Sequence, residues 1–309
     1  MRFSCVFLCL LLITSFAHAK EASIVIEAQS GTILSAENIH NQFYPASMTK
    51  LMTLYLTFEA LTDRRLTLGQ KLKVSKKASK QPSSKLWMEP GTTITVKEAI
   101  QALIIRSAND VAVVLAESIA GSEQNFAQQM TQKAIKLGMY KTRFANANGL
   151  HDDKQVSTPR DIALLVRAMM LQFPQYYGYF GQTEFTFRGN KITSHNKFVK
   201  TYPGADGLKT GYVGKSGYNL AASAVQGNVR LIGVVFGGET APKRDNKMVN
   251  LMDAGFGKAR KLIANSQPPK PRKKLSKRSQ ADLVLANTGY NRGINGITPT
   301  PKPAQNPQF

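Results

Sequence analysis

Apolar and polar residues alternate in four short segments, two near the start of the chain and two beyond residue 215. The first of these segments is rich in β-branched residues, and Ser30-Gly31 and Gln226-Gly227-Asn228 stand where each pair of segments would turn. Alternation interrupted by such turn residues predicts two β-hairpins. The four predicted strands cover residues 23–28, 32–35, 218–225 and 230–236.

Between these segments the apolar spacing becomes that of helices. Residues 47–61 are apolar on nearly every face, so we expect this helix to be buried at the centre of the fold. Thr158-Pro159-Arg160-Asp161 combines an N-cap hydroxyl, a first-turn proline and an acid three residues after the cap, which predicts a helix start. Strands at both ends with helices between them predict an α+β fold, in which an antiparallel β-sheet is covered by helices. Further helices are predicted at residues 97–106, 110–120, 123–137 and 245–264, with Ser107-Ala108-Asn109 in a loop.

The first nineteen residues have the composition of a targeting segment. A charged start, an apolar run over residues 5–16 and a small-residue cleavage site predict a secretory signal peptide that is cleaved after Ala19. A lipid anchor at Cys9 is the alternative, but Leu8 stands where a small residue is wanted. Cys5 and Cys9 both lie in this signal, so we expect an exported protein that is stable without disulfides.

The composition changes again after residue 265. Residues 266–309 are basic and rich in proline, and such a segment cannot bury enough apolar surface to order itself. We therefore predict a signal peptide over residues 1–19, one folded domain over residues 20–265, and a flexible tail over residues 266–309. The formal net charge is +22. Export argues against nucleic acid as a partner and leaves anionic wall polymers or a phospholipid surface, while solubility alone is an equal alternative.

Three short motifs carry the candidate chemistry: Ser47-Met48-Thr49-Lys50, Ser107-Ala108-Asn109 and Lys209-Thr210-Gly211. Any one of them is weak, since roughly one Ser-x-x-Lys is expected from composition alone in a chain of this length. Together and in this order, they supply a hydroxyl nucleophile, candidate bases and a strand edge that can bind a peptide backbone. The chemistry that this set allows is acyl transfer through a serine ester.

Ser47 and Lys50 stand three residues apart in a predicted helix and therefore share one face. Lys50 can act as a base only when it is neutral, and burial and a nearby second cation both favour the neutral amine. Lys209 is the candidate for that cation. The alternative for Ser47 is an ordinary helix N-cap, which needs no chemistry.

The other motif residues suggest substrate contacts. Ser107 can relay a proton to a leaving amine, and Asn109 offers a donor and an acceptor suited to a peptide amide. Gly211 on an edge strand would let a substrate backbone approach, and the backbone N–H groups of Ser47 and Tyr212 are the candidate oxyanion hole. Lys209 and Thr210 can meet a carboxylate.

The motif set resembles that of the penicillin-binding, serine-active D-alanyl-D-alanine carboxypeptidases, peptidase family S11. Residues 144–150 and 158–161 look like that family's connecting segment, and the resemblance covers most of residues 20–265. It implies a β-lactamase/transpeptidase-like fold, with the site between the sheet and a helical region beside it. It also implies Ser47 as the acylated nucleophile, Lys50 as the base and Ser107 as the relay. The implied substrate-binding residues are Asn109, Lys209, Thr210, Gly211, Tyr212 and Arg244.

The resemblance further implies a periplasmic or envelope-associated enzyme that removes the terminal D-Ala from peptidoglycan stem pentapeptides and is acylated by β-lactam antibiotics, without a cofactor. Longer members of the family carry a β-rich second domain and an amphipathic anchor helix. The segment from Ser266 onward is too short and too polar for both. We expect residues 270–278 to hold the protein near anionic membrane or wall polymers instead.

Three other functions compete with this one. A DD-endopeptidase of peptidoglycan cross-links would use the same residues, and a silent wall-binding protein would use only the basic surface. A class A β-lactamase needs an additional glutamate to hydrolyse its acyl-enzyme, but none occurs between Glu123 and Glu184, where that loop would lie. A zinc site at His151-Asp152-Asp153 is less favoured than an exposed polar turn, so we expect no metal requirement.

Overall fold

The computed structural model describes residues 21–266, so the predicted signal peptide and the predicted tail beyond Ser266 lie outside the described residues. The strands are β1 (Ala22–Glu27), β2 (Ile33–Glu37), β3 (Lys71–Lys73), β4 (Thr93–Thr95), β5 (Glu184–Phe187), β6 (Asn190–Thr193), β7 (Ala205–Val213), β8 (Gly217–Gln226) and β9 (Val229–Gly238). The α-helices are α1 (Lys50–Thr62), α2 (Lys76–Ser79), α3 (Val96–Gln101), α4 (Asn109–Ala120), α5 (Glu123–Lys136), α6 (Pro159–Gln172), α7 (Pro174–Tyr177), α8 (Lys197–Thr201) and α9 (Ala241–Ser266). Short 3-10 helices cover Ala46–Thr49 and Gly178–Gly181, and a π-helix covers Ala102–Arg106.

One antiparallel sheet joins five of these strands in the order β2-β1-β9-β8-β7. The hairpins predicted from alternation are confirmed as β1–β2 and β8–β9. The two ends of the region meet in the sheet, because β1 pairs with β9 from Ala22 opposite Phe236 to Glu27 opposite Leu231. β7, which carries Lys209-Thr210-Gly211, lies at one edge of this sheet. Its outer side therefore faces the cleft described below rather than another of the strands in the described part of the chain.

Helices cover both faces of the sheet, which confirms the predicted α+β fold. One face packs Ile24, Ile232 and Phe236 into the large apolar core that also holds α1, α4, α5 and α6. α1 is buried on almost every side, as its apolar pattern predicts. The other face packs against α9. The helical region beside the sheet, built around α3 to α5, then forms the second wall of the cleft.

α9 packs on the sheet above a glycine of β9. A Cβ atom built on Gly233 would be 2.6 Å from the Met248 sulfur and 3.1 Å from the Met252 sulfur, so a side chain there would have to displace these methionine ends. The helix begins at Ala241 rather than at the predicted Asp245, so Arg244 falls in its first turn. Within residues 21–266, no helix combines the length and apolar character needed to cross a bilayer.

Helix boundaries near the motifs differ from the predictions. The helix predicted over residues 47–61 divides into the 3-10 turn Ala46–Thr49 and α1, and Thr49 is the N-cap of α1. Ser47 makes no capping hydrogen bond, so the alternative role of Ser47 as an N-cap is wrong. Asn109 is the first residue of α4 rather than part of the predicted loop. The preceding helix changes to π-geometry before Ser107, which has a left-handed backbone with φ of 60°.

Candidate active site

The nucleophile candidate and the base candidate lie side by side. Ser47 is half-buried in the 3-10 turn, directly after Ala46, whose φ of 49° is a conformation that residues other than glycine rarely adopt. Lys50 opens α1 and is 0% exposed. Its Nζ lies 3.2 Å from Ser47 Oγ. Strained backbone of this kind persists only where the surrounding structure holds it, and here it presents the hydroxyl to the amine.

The partners of Lys50 fix the direction of its lone pair. Nζ donates to Asn109 Oδ1 at 2.8 Å and to the backbone oxygen of Asn148. A neutral amine has two N–H groups and one lone pair. When the two N–H groups occupy these acceptors, the lone pair remains for the hydroxyl proton of Ser47.

The surroundings of Lys50 favour that neutral form. Burial lowers the pKa of Lys50 well below its ordinary value, and the charge of Lys209 lowers it further. The Asp110 carboxylate opposes this shift as the weakest of the three effects. Because a lysine is a base only without its proton, the buried position of Lys50 is what makes it chemically useful.

Ser107 and Asn109 take different positions in the cleft wall. Ser107 Oγ is buried and has no hydrogen-bond partner in the described part of the chain, and it makes no bond to Lys50. Asn109 has both ends of its amide engaged, since Oδ1 accepts from Lys50 and Nδ2 donates to Pro82 O at 2.9 Å. The relay role of Ser107 and the substrate contact of Asn109 therefore stay predictions, while Asn109 visibly positions Lys50.

Glycine at position 211 allows the edge strand to reach the nucleophile. A Cβ atom there would lie 3.0 Å from Pro45 O and 3.3 Å from the backbone nitrogen of Ser47. These approaches are tighter than nine in ten Cβ contacts, so a side chain at this position would push β7 and the turn of Ser47 apart by a few tenths of an ångström. Thr210, Gly211 and Tyr212 all line the cleft beside it.

Two buried cations form one end of the cleft. Lys209 is 2% exposed and donates from Nζ to Thr210 O at 3.0 Å. Burial, and after it the charge of Arg244, lowers the pKa of Lys209 to about 7. Arg244 is 4% exposed, donates to Asn219 O at 3.0 Å and forms an ion pair with Asp245 at 2.9 Å. We call this the cationic end; its charges suit a carboxylate.

The depressed pKa of Lys209 predicts a falling limb in the pH profile. If protonated Lys209 attracts a substrate carboxylate, kcat/KM should decline as the pH rises through about 7, where Lys209 loses its proton. We expect Lys209→Arg to move this limb upward by at least two pH units, since arginine keeps its charge. The measurement is kcat/KM from pH 5 to 10 for a peptide substrate. A matched substrate with its carboxylate amidated should show no such limb, and a limb of equal size there would contradict the assignment.

The cleft has a volume of about 610 Å³ and lies between β7, the turn of Ser47 and the start of α4. Every site residue named from the sequence lines it except Lys50 and Lys209, which lie beneath its wall. No aspartate or glutamate belongs to its lining among the described residues. The cleft therefore combines a hydroxyl beside a buried amine with positive charge, and its lining in the described part of the chain contains no carboxylate.

Sequence reasoning missed two groups of this site. The backbone oxygen of Asn148 holds Lys50, and the next residue, Gly149, has φ of 87° and stands where a Cβ atom would be 1.9 Å from Ala46 O. The Asn-Gly pair, a strong turn signal, could have indicated this tight loop. His195 also lines the cleft, and partial burial together with the charge of Lys209 lowers its pKa to about 4. No local pattern marks it.

The alternative metal position is an exposed ion pair. His151 Nε2 lies 3.3 Å from Asp153 Oδ1, and both side chains face solvent to a large extent. Lys215 also contacts Asp153, at 2.8 Å. Within residues 21–266, no three histidine, cysteine or acidic side chains are grouped so that they could hold a metal ion. The absence of a metal requirement stays a prediction.

Known proteins are similar to this chain in sequence. The family model for D-alanyl-D-alanine carboxypeptidases matches residues 13–240. D-alanyl-D-alanine carboxypeptidase DacF of Bacillus subtilis is 32% identical over 297 residues, which is 92% of this chain and 76% of that protein. DacC of Escherichia coli, of the same enzyme name, is 36% identical over 242 residues, 76% of this chain. The matched region spans only 60% of the length of DacC.

A solved structure supports the same relationship. Penicillin-binding protein D2 from Listeria monocytogenes in its ampicillin-bound form superposes with a TM-score of 0.70 at 31% identity. The superposition covers 76% of this chain and 96% of that one. The chain therefore belongs to the D-alanyl-D-alanine carboxypeptidase family, peptidase S11, whose members are serine-type hydrolases of the penicillin-binding protein class.

Proposed function

We propose that this protein is a serine D-alanyl-D-alanine carboxypeptidase that removes the terminal D-Ala from peptidoglycan stem pentapeptides. The observation that carries the proposal is the buried Lys50 amine, 3.2 Å from Ser47 Oγ, with two acceptors for its N–H groups and its charge disfavoured by burial. A buried amine held in this way can act as a base. Without such a role, the cost of burying a lysine side chain would have no compensation.

Acylation follows from this geometry. Lys50 takes the proton of Ser47, and Oγ attacks the carbonyl carbon of the penultimate residue. The C–N bond of the terminal residue breaks, its nitrogen receives a proton from the Lys50 ammonium, directly or through Ser107, and D-Ala leaves. Water then attacks the serine ester, so the shortened peptide is released and Ser47 regains its proton.

The rest of the cleft accounts for substrate choice. The cationic end supplies Lys209 and Arg244 to the free carboxylate of the terminal residue, and the Thr210 hydroxyl adds a hydrogen-bond donor. The outer edge of β7 offers backbone groups for pairing with the peptide. The N–H groups of Ser47 and Tyr212 would stabilise the oxyanion, which the close approach at Gly211 allows.

The lining of the cleft also predicts how β-lactams behave. A β-lactam acylates Ser47, but its leaving amine stays attached to the acyl group and obstructs water, and no carboxylate in the lining supplies a further base. We expect rapid acylation and slow release. Nitrocefin should therefore give an absorbance burst of one equivalent per protein molecule, followed by hydrolysis below about one turnover per minute. Sustained rapid hydrolysis by the pure protein would favour the β-lactamase alternative.

The function is tested by D-Ala release from a synthetic stem pentapeptide and by mass spectrometry after a short exposure to penicillin. We expect D-Ala release and one adduct on the peptide that contains Ser47. Ser47→Ala should lose both, whereas Ser79→Ala, on the surface of α2, should keep both. A penicillin adduct that persists in the Ser47→Ala variant would refute the proposal.

The organisation of the chain is part of the proposal. Residues 1–19 would direct export, residues 20–265 form the catalytic domain that acts in the cell envelope, and residues 266–309 bind anionic membrane or wall polymers through their basic stretch. The composition of the two terminal segments supports this division. Unchanged co-sedimentation with anionic vesicles at low salt after removal of residues 266–309 would contradict the role of the tail.

A further inference from the structure

An exposed tryptophan stands on the surface of the domain, and it is the only tryptophan of the chain. Trp87 is 66% exposed, whereas the next residue, Met88, is buried. Trp87 also has φ of 60°, which is rare for a bulky residue. Its indole contributes little to the core of the domain and is available to an outside partner.

The neighbours of Trp87 hold its backbone in place. The carboxylate of Asp110, which is 0% exposed, accepts from the backbone nitrogen of Leu86 at 3.1 and 3.0 Å. On the other side of the tryptophan, Met88 is anchored in the apolar core. Because both neighbours are fixed, the structure displays Trp87 toward solvent rather than leaving it on a free loop.

Trp87 forms one side of a groove. The groove has a volume of about 360 Å³ and lies between the loop of Trp87, the end of the π-helix and the β5–β6 hairpin. No acidic side chain lines it among the described residues. Its lining combines apolar and basic side chains, among them Leu86, Trp87, Ile192, Lys85, Arg106 and Lys191. We call it the basic groove.

Most cations of the basic groove have no carboxylate partner. Arg106 is exposed, and within residues 21–266 it forms no ion pair. Lys85 Nζ lies 4.4 Å from the centre of the Trp87 ring and donates to a backbone oxygen, that of Ser79, at 2.9 Å. Lys191 differs, because it is paired with Glu184 at 2.9 Å. The groove therefore carries positive charge that the domain itself does not neutralise.

The positive surface continues beyond the groove. The turn of the β5–β6 hairpin carries Arg188, which is exposed and donates to Thr93 O at 3.4 Å. Thr93 lies opposite Lys73 in the β3–β4 ribbon, and Lys73 is exposed as well. Residues 71–106, which supply these strands and the loop of Trp87, contain eight lysine and arginine residues and only two glutamates.

We propose that the basic groove and Trp87 dock the catalytic domain on an anionic phospholipid bilayer. An indole suits the headgroup region, because it has an apolar body and a polar N–H. Arg106, Lys85 and Arg188 meet the lipid phosphates, and Leu86 adds apolar area beside the ring. A soluble polyanion would need the cations alone, so the displayed tryptophan favours a bilayer over a wall polymer. This surface is distinct from the proposed role of the tail and does not depend on the catalytic function.

The single tryptophan makes its own fluorescence the test. The full chain is titrated at low salt with vesicles of phosphatidylglycerol and phosphatidylcholine in equal parts, and separately with vesicles of phosphatidylcholine alone. We expect the anionic vesicles to shift the emission to shorter wavelength, and brominated acyl chains in them to quench it. The neutral vesicles should do neither. Since no other tryptophan contributes, the signal reports the surroundings of Trp87 and not those of the tail.

Charge variants locate the surface while they keep the tryptophan. Arg106→Gln and Arg188→Gln should each weaken the apparent affinity for anionic vesicles about five-fold, and the double variant about twenty-five-fold. Arg260→Gln removes the same charge from α9, outside the groove, and should stay within about two-fold of the wild type. Unchanged thermal unfolding of each variant shows that a lost affinity comes from the groove and not from the fold.

Three results would overturn the inference. The chain could co-sediment with anionic vesicles while the emission stays unchanged, which would leave binding to the tail alone. Soluble polyphosphate could produce the same shift and quench the vesicle effect by competition, which would assign the surface to a soluble polyanion. Equal loss of affinity in Arg106→Gln and Arg260→Gln would mean that net charge, and not the basic groove, determines binding.

Discussion

Replacing Lys50 by methionine is expected to lower the rate constant of acylation by a factor on the order of 10³ to 10⁴. Methionine has nearly the length of the lysine side chain and no lone pair basic enough to take the proton of Ser47. The measurement is the second-order rate constant for acylation by a chromogenic β-lactam, followed by stopped flow. The residual rate should also lose the rising limb of its pH profile, because that limb reports the titration of Lys50.

Stability separates this loss of chemistry from unfolding. Burial of the Lys50 amine, which forms no ion pair with a carboxylate in the described part of the chain, costs desolvation free energy, and methionine removes that cost. Methionine also leaves Asn109 Oδ1 and Asn148 O without their donor, which costs free energy in turn. These effects oppose each other, so the free energy of unfolding should change by less than about 2 kcal/mol. Lys71→Met, on the exposed face of β3, is the matched control and should acylate normally. A Lys50 variant that keeps acylation within three-fold of the wild type would refute the assigned base.

Among substitutions that add a single methyl group to the site, Gly149→Ala is expected to cause the largest loss of stability and activity. The new Cβ atom would lie 1.9 Å from Ala46 O and 3.0 Å from the backbone nitrogen of Ser47, so either the loop or the nucleophile turn must move. We expect the free energy of unfolding to fall by about 2–5 kcal/mol, from strain at positive φ and from overpacking. Because Asn148 O would move away from Lys50, kcat/KM should fall at least about 100-fold as well.

A second glycine separates the backbone strain from the collision. Gly138 has φ of 80°, close to that of Gly149, but its nearest neighbour would be Leu164 Cδ1 at an ordinary 3.9 Å. Gly138→Ala should therefore cost only about 1 kcal/mol and leave activity intact. Thermal and urea unfolding of both variants give the comparison. Equal losses in the two variants would mean that the close approach at Ala46 contributes nothing.

Much of this fold and site could be predicted because it is encoded locally. The alternation of residues 23–28 and 230–236 indicates strands, and both strands pair in the sheet. The three-residue spacing of Ser47 and Lys50 places them on one face, whether the turn is 3-10 or α-helical. The glycine of Lys209-Thr210-Gly211 indicated a strand edge approached closely by another backbone, although the structure shows the turn of Ser47 making that approach.

What could not be predicted depends on contacts between distant parts of the chain. Lys50 is held by the backbone oxygen of Asn148, 98 residues away, and a main-chain acceptor has no signature in the identity of its residue. The contacts of the Asn109 amide with Pro82 and Lys50 could not be predicted either, because both partners lie in distant segments.

The packing of α9 on Gly233 has a consequence for the cleft, because the same helix carries a residue of the cleft lining. The first turn of this helix carries Arg244, which lines the cleft, and the two methionines that rest on Gly233 follow one and two turns later. A bulkier residue at position 233 would first displace the flexible ends of Met248 and Met252, and crowding that they do not absorb would shift the helix together with Arg244. We therefore expect substitutions at position 233 to change the position of Arg244 in the cleft, although position 233 itself lies outside the cleft lining.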